Sequence, residues 1–203
     1  MAGDMDGPLL VTGFEPFGGD ATNPSGDAAR LLDGARVAGR PVVGQVLPCV
    51  FAEAPARLRA LVQAHRPALL LCLGLAASRR GFHLERVAIN LIDARIADNA
   101  GAQPVDRPVD PAGPPAAFTT LPVKAMAAAL RAEGFAAEVS YSAGTFVCNQ
   151  VFHAAMALPV PRAGFLHVGG DLEAGRIAAG VRVALAAALA RGADLQASAG
   201  RID

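Results

Sequence analysis

Residues 140–152 read Ser-Tyr-Ser-Ala-Gly-Thr-Phe-Val-Cys-Asn-Gln-Val-Phe. The extended segment from Ala137 to Tyr141 predicts a strand, and the small residues after it predict a turn. From Val147 to about Leu158, apolar side chains recur at spacings of three and four residues, which is typical of a helix. A strand, a turn and a helix in this order form the repeating unit of α/β domains.

Cys148 lies at the start of this predicted helix. Unpaired N–H groups and the positive end of the helix dipole stabilise a thiolate there, which predicts a thiol pKa below the free value of about 8.5. The thiolate is the nucleophilic form, and the same N–H groups can hold an oxyanion formed at an attacked carbonyl. The structural alternative is a buried cysteine that acts as a small hydrophobic residue.

The same order of elements recurs along the chain. The other predicted strands are Leu9–Val11, Pro41–Leu47, Ala68–Gly74, Glu85–Ile92, Phe118–Leu121 and Ala163–Val168. The other predicted helices are one opened by Asn23 and Pro24 that runs to about Leu32, Ala52–His65, Pro122–Glu133, and one capped by Asp171 that runs to about Arg191. The continuous apolar run at Ala68–Gly74 is typical of a strand covered on both faces, so we predict an α/β fold with a parallel sheet and a structural role for Cys72.

Length and composition narrow the class of protein. The 203 residues predict one domain, 1–203, whose segments 1–7 and 192–203 we expect to be frayed. With 18 basic and 18 acidic side chains, the net charge of zero argues against nucleic acid or anionic membrane as a partner. Three cysteines without CxxC spacing argue against a disulfide scaffold or a metal site. We find no signal sequence and no apolar run long enough to span a membrane, which predicts a cytoplasmic protein.

The turn at residues 12–19, Thr-Gly-Phe-Glu-Pro-Phe-Gly-Gly, suggests a phosphate-binding loop as an alternative. It has neither GxGxxG nor GK[ST], and Phe14 and Phe17 stand where a phosphate needs close approach to the backbone. This composition argues against a nucleotide site.

A histidine partner for Cys148 is expected near the carboxyl ends of the strands, where open α/β sheets bind ligands. His167 is the best placed of the four histidines because it lies at such a strand end, whereas His153 follows Cys148 on the same helix and points elsewhere. A thiolate and an imidazolium form a nucleophile and a general acid. The residues leave three carboxylates open as the group that orients the imidazole: Glu85, Asp93 and Asp98. The long irregular stretch Asp93–Pro115 is typical of a functional or a disordered loop.

Three blocks together resemble the pyroglutamyl-peptidase I family, also called pyrrolidone-carboxylate peptidase. The blocks are Thr12–Gly19 with Asn23-Pro24-Ser25, Glu85–Asn90 running into Asp93-Ala94-Arg95-Ile96, and Ala143–Asn149. They occur in the order of that family, and the resemblance extends from Leu9 to about Leu189.

The resemblance implies a three-layer α/β/α sandwich with a mostly parallel central sheet, cytosolic residence, no cofactor and frequent homo-oligomers, dimers or tetramers. It assigns the catalytic roles to Cys148, His167 and Glu85. It also places Arg95 close to the catalytic cysteine, as support for the oxyanion. The substrate-binding residues that it implies are Phe14, Phe17, Asn23 and Phe146.

The implied activity is that of a cysteine peptidase, an omega-peptidase, which removes an N-terminal pyroglutamyl residue from peptides through a thioester. A neutral lactam ring with no free α-amine needs no counter-charge, and phenylalanine faces with a few hydrogen bonds suit it. The sequence departs from the family pattern at Tyr141-Ser142, Leu75, Ala97 and Val168-Gly169-Gly170-Asp171. A weakly active or non-catalytic relative that binds a small cyclic amide or a peptide N-terminus is therefore the alternative, and a nucleoside phosphorylase or hydrolase is a further one.

Overall fold

The computed structural model describes residues 6–200, and its main feature is a seven-stranded sheet in which most neighbouring strands are parallel. Its strands are β1 (Leu9–Phe14), β2 (Arg36–Val37), β3 (Arg40–Leu47), β4 (Leu69–Ala76), β5 (Phe82–Glu85), β8 (Ala137–Ser140) and β9 (Ala163–Gly169). They lie in the order β2-β3-β1-β4-β9-β5-β8. The pairs β2–β3 and β5–β9 are antiparallel. A separate antiparallel pair is formed by β6 (Val87–Ile89) and β7 (Ala116–Phe118).

Helices cover both faces of this sheet. They are α1 (Pro24–Leu32), α2 (Ala54–His65), α3 (Val123–Ala132), α4 (Val147–Met156) and α5 (Ala174–Leu189). Buried side chains of α1, α3 and α5 form one core with the sheet, and those of α2 and α4 form the other. The predicted three-layer α/β/α sandwich with a mostly parallel sheet is confirmed.

Strand β4 shows why its sequence is continuously apolar. Leu69, Leu71 and Leu73 belong to the core under α1, α3 and α5, whereas Leu70 and Cys72 belong to the core under α2 and α4. Successive side chains of a strand point to opposite faces, so a strand covered on both faces must be apolar at every position. Cys72 is fully buried, as predicted for a structural cysteine.

The predicted strand Glu85–Ile92 is wrong as a single element. Glu85 ends β5 in the main sheet, and β6 starts at Val87 and pairs with β7 instead. The predicted strand Phe118–Leu121 is likewise shifted, because β7 is Ala116–Phe118. The chain changes partner between Glu85 and Val87, and apolar alternation along a sequence does not show where a strand exchanges one neighbour for another.

The predicted capping of the last helix by Asp171 is also wrong. The residue before α5 is Glu173, whose side chain makes no capping bond. Asp171 Oδ1 instead accepts a hydrogen bond from the Gly81 N–H at 3.0 Å and so joins the ends of β9 and β5.

Of the segments expected to fray, residues 1–5 and 201–203 lie outside the described part. Within 192–200, Asp194 Oδ1 accepts from the Ala125 N–H at 3.0 Å in the first turn of α3. In the part of the chain from 6 to 200, no helix combines the length and apolarity needed to cross a bilayer.

Candidate active site

The sheet brings Glu85 and His167 together because β5 runs antiparallel to β9. His83 lies opposite His167 in this pair, and Glu85 lies opposite Phe165, so all four side chains point to the face that carries α4. Glu85 Oε1 lies 2.8 Å from His167 Nδ1. A carboxylate can only accept, so Nδ1 carries the proton and Nε2 is left for another partner.

Of the three carboxylates left open by the sequence, Glu85 is the one that contacts the imidazole. Asp98 is occupied elsewhere, because its Oδ2 accepts from the Phe51 N–H at 2.8 Å and its Oδ1 from two further backbone N–H groups. Asp93 lines the cavity, and its backbone N–H donates to the Thr145 carbonyl. Glu85 is completely buried, and His167 is 5% exposed.

Cys148 approaches the same strand ends from the first turn of α4. A Cβ atom added to Gly74 would lie 2.9 Å from Cys148 Sγ and 2.8 Å from Phe165 Cζ. Gly74 is the register partner of His167 on the neighbouring strand, and neighbouring strands lie about 4.8 Å apart. The thiol therefore lies over the sheet beside the imidazole, in space that exists because Gly74 has no side chain.

Backbone contacts hold the start of α4 in this position. The Asp93 N–H donates to the Thr145 carbonyl at 3.0 Å, and Thr145 Oγ1 donates to the Asp93 carbonyl at 2.7 Å. Phe146, the residue before the helix, is extended and its side chain makes no capping bond. The first N–H groups of an α-helix have no partner within the helix, so those of α4 can bind a ligand atom in the cavity.

A cavity of about 240 Å³ opens in front of these groups. Its lining consists of Phe17, Leu75, Asp93, Arg95, Ile96, Ala143, Thr145, Phe146, Cys148 and His167. The rings of Phe17 and Phe146 have centroids 6.0 Å apart, and Phe51 supports Phe146 from behind with centroids at 5.1 Å. Drug-sized ligands occupy pockets of about 300–1,000 Å³, so this cavity fits a smaller group.

Comparisons with known proteins point to one family. The model of the pyroglutamyl peptidase family matches residues 8–173. The chain belongs to the pyroglutamyl peptidase family. It is similar to pyrrolidone-carboxylate peptidases of Chromobacterium violaceum, with 45% identity over 206 residues (96% of this chain, 98% of that protein), and of Streptomyces coelicolor, with 52% identity over 165 residues (79% and 76%). The crystal structure of pyroglutamyl peptidase I from Bacillus amyloliquefaciens has 38% identity and a TM-score of 0.89, covering 93% of this chain and 100% of that one.

Membership in the pyroglutamyl peptidase family confirms the resemblance and makes this chain an enzyme, a cysteine hydrolase. Of the residues predicted for the site, the structure brings Cys148, His167, Arg95, Phe17 and Phe146 to one cavity. Glu85 lies directly behind His167.

Phe14 and Asn23, predicted to bind substrate in this peptidase, are not among the residues that line the cavity. Phe14 is a core residue, 2% exposed, with its ring centroid 6.5 Å from that of Phe165. Asn23 Oδ1 accepts from the Ser25 N–H at the start of α1, and Asn23 Nδ2 donates to the Glu15 carbonyl at 3.0 Å. Both residues therefore support the turn that carries Phe17 into the cavity.

The pKa of the Cys148 thiol departs from the expectation. Burial raises it above its ordinary value, and the charge of Glu85 raises it further, whereas the N–H of Cys148 itself lowers it. The expectation of a lowered pKa is therefore wrong for the free peptidase, because desolvation outweighs the helix N-terminus.

Sequence reasoning missed two residues of this site. Gly74 was read only as the end of an apolar run, although it clears the space for Cys148 Sγ. Arg79 is assigned no role from the sequence, yet its Nη1 lies 3.3 Å from Glu85 Oε1. The available signal for Arg79 was its place in the turn at the carboxyl end of a buried strand, where α/β sheets carry their sites.

Proposed function

We propose that this chain removes the N-terminal pyroglutamyl residue from peptides, through a thioester acyl-enzyme formed on Cys148. One observation carries the proposal: His167, held through Nδ1 by Glu85 at 2.8 Å, shares a small cavity with Cys148. A nucleophile, a base and a group that orients the base are the parts that acyl transfer requires.

The raised pKa of Cys148 indicates how the first step runs. His167 Nε2 takes the thiol proton as Sγ attacks the pyroglutamyl carbonyl carbon, and Glu85 stabilises the imidazolium that results. The carbonyl oxygen becomes an oxyanion, which the N–H groups at the start of α4 hold, with Arg95 near it on the cavity wall.

The intermediate then collapses into products. The C–N bond breaks, the proton on His167 passes to the departing amine, and the pyroglutamyl group remains on Sγ as a thioester. His167 next accepts a proton from water as the hydroxyl attacks the thioester. The C–S bond breaks, the proton returns to sulfur, and free pyroglutamate leaves.

The cavity supports a pyroglutamyl ring as the group bound. Its volume of about 240 Å³ suits a five-membered lactam, and Phe17 and Phe146 offer apolar faces to a neutral ring. Aromatic faces with a few hydrogen bonds bind such a ring without a counter-charge.

The test is turnover of a chromogenic pyroglutamyl amide, beside the matching prolyl and glutamyl amides, by the wild type and by C148S. We expect release from the pyroglutamyl compound alone, and a loss of at least about 10³-fold in C148S without loss of fold. C72A is the control, because Cys72 is a buried cysteine of the same core and outside the cavity lining. Normal turnover by folded C148S would refute the mechanism. If the folded wild type hydrolysed none of the three amides, the result would favour a relative that only binds a small cyclic amide. Assembly into a homo-oligomer and a cytoplasmic location remain predictions.

A further inference from the structure

The carboxylate of Glu85 lies where water does not reach it. The residue is 0% exposed, and within residues 6–200 its Oε2 has no hydrogen-bond partner. Its Oε1 accepts from His167 Nδ1 at 2.8 Å. A buried charge with so few partners is costly unless an opposite charge lies beside it.

Arg79 supplies such a charge from the turn between β4 and β5. Its Nη1 lies 3.3 Å from Glu85 Oε1, the same oxygen that His167 contacts. An arginine guanidinium is charged at every pH at which proteins are folded, whereas an imidazole is charged only when protonated. Arg79 therefore compensates Glu85 during the part of the cycle in which His167 is neutral.

The same guanidinium also contacts the segment that leads to the nucleophile. Arg79 Nη1 donates to Ser140 Oγ at 3.1 Å, and Nη2 donates to the Ser142 carbonyl at 3.3 Å. Ser140 ends β8, and Ser142 lies in the turn before α4. One side chain thus joins the strand end of Glu85 to the turn that places Cys148.

Other charged or titratable groups near Glu85 and His167 have different partners or lie farther off. His83 shares their face of β5 and its Nδ1 lies 2.8 Å from Glu138 Oε1, while Cys148 faces the pair from α4. Asp93 and Arg95 lie on the cavity wall formed by the loop after β6. Among the described residues, Arg79 and His167 are the two whose side chains reach bonding distance of the Glu85 carboxylate.

We infer that Arg79 is a positioning residue, and this inference rests on the proposed function. Its guanidinium keeps Glu85 ionised and weakens the stabilisation that Glu85 gives to the imidazolium form of His167. Without the guanidinium, the Glu85 charge acts on the imidazole alone. The imidazolium then persists to higher pH, and less of the neutral base is present to accept the Cys148 proton. The acid limb of the pH profile of kcat/KM therefore shifts to higher pH.

The experiment compares kcat/KM for a chromogenic pyroglutamyl amide across pH in the wild type, R79M, R79Q and R79K. In R79M and R79Q we expect kcat/KM near neutral pH to fall at least about tenfold. We also expect the acid limb of the profile to shift to higher pH by about one unit. R79K keeps the charge, so its limb stays near the wild-type position. R79Q, which retains a hydrogen-bonding side chain, decides the outcome if R79M does not fold.

R80M is the matched control. Arg80 is the exposed neighbour of Arg79, and both residues line a second cavity of about 620 Å³. Within residues 6–200, however, the Arg80 side chain makes no hydrogen bond or ion pair. We expect its profile to match the wild type. An acid limb at the wild-type position in folded R79M and R79Q would overturn the inference, even if activity fell. An inactive wild type would instead refute the proposed function, so the two failures are distinguishable.

Discussion

Gly74 shows how much a missing side chain contributes to this site. Its position on β4 faces the thiol of Cys148 and the ring of Phe165, and both lie within 3 Å of the place where a Cβ atom would be. Such distances force a neighbour to move. The residue is therefore a steric requirement for the position of the nucleophile.

We predict that G74A lowers kcat/KM for a pyroglutamyl amide at least about tenfold, because the added methyl group displaces Cys148 Sγ from His167. Overpacking of this kind costs about 1–3 kcal/mol, so the free energy of unfolding in urea should fall by that amount while the protein still folds.

The control for this substitution is G175A. Gly175 lies in α5, and a Cβ atom there would have no neighbour within 4 Å. Alanine in a helix is more stable than glycine by about 0.5–1 kcal/mol, so G175A should keep both activity and stability. Equal activity of G74A and G175A would contradict the steric role of Gly74.

At the scale of elements, the side chain of Asn149 joins α4 to the segment that follows β5 by hydrogen bonds. This side chain is fully buried, and it donates to the carbonyls of Ile89 and Leu91 at 2.8 and 3.0 Å. Its Oδ1 accepts from the Ile89 N–H at 3.0 Å. Asn149 immediately follows Cys148, so these three bonds also fix the first turn of the helix.

We predict that N149A destabilises the fold by at least about 2 kcal/mol, because it leaves buried backbone groups without partners at about 1–3 kcal/mol each. Urea unfolding measures the loss. Asn90 makes three comparable bonds, to the Asp110 N–H and to the carbonyls of Asp110 and Gly113, but at a more exposed place. N90A should therefore cost less than about 1 kcal/mol, since water replaces the lost partner. A similar cost for both variants would show that burial is not the cause.

For the whole molecule, the buried thiols couple stability to alkaline pH. Burial raises the pKa of both Cys49 and Cys72 from 9.0 to about 12. Above about pH 9 the unfolded chain loses thiol protons that the folded chain keeps until about pH 12. The stability that depends on these thiols being protonated is therefore fully present below about pH 9, and it is lost as the pH rises towards about 12.

We predict that the free energy of unfolding falls by about 1.4 kcal/mol per pH unit for each such thiol in this window. C72A removes one of them, so its slope should be shallower than that of the wild type by about that amount. Urea unfolding at several pH values between about 9.5 and 11 tests this. All groups other than Cys72 are common to both proteins and cancel in the comparison, so equal slopes would refute the assignment.

The sequence predicted most elements because their periodicity or apolar run is local. The continuous run of β4 and the spacing of α4 were sufficient to place both elements. It failed at Glu85–Ile92, where the chain exchanges β9 for β7 as its partner, and at Asp171, whose carboxylate binds the Gly81 N–H instead of a helix end. Both depend on which distant strand is nearby, and periodicity carries no information on that.

The sequence by itself determined the α/β class, the cysteine at a helix start, the histidine at a strand end and the family resemblance, because each resides in a contiguous motif. Only the tertiary structure decided that Glu85 contacts His167, that Gly74 clears space for Cys148 and that Arg79 reaches Glu85. It also reversed the expected pKa of Cys148. The physical reason is that contact geometry and desolvation depend on residues far apart in the chain, which approach each other only when the sheet assembles.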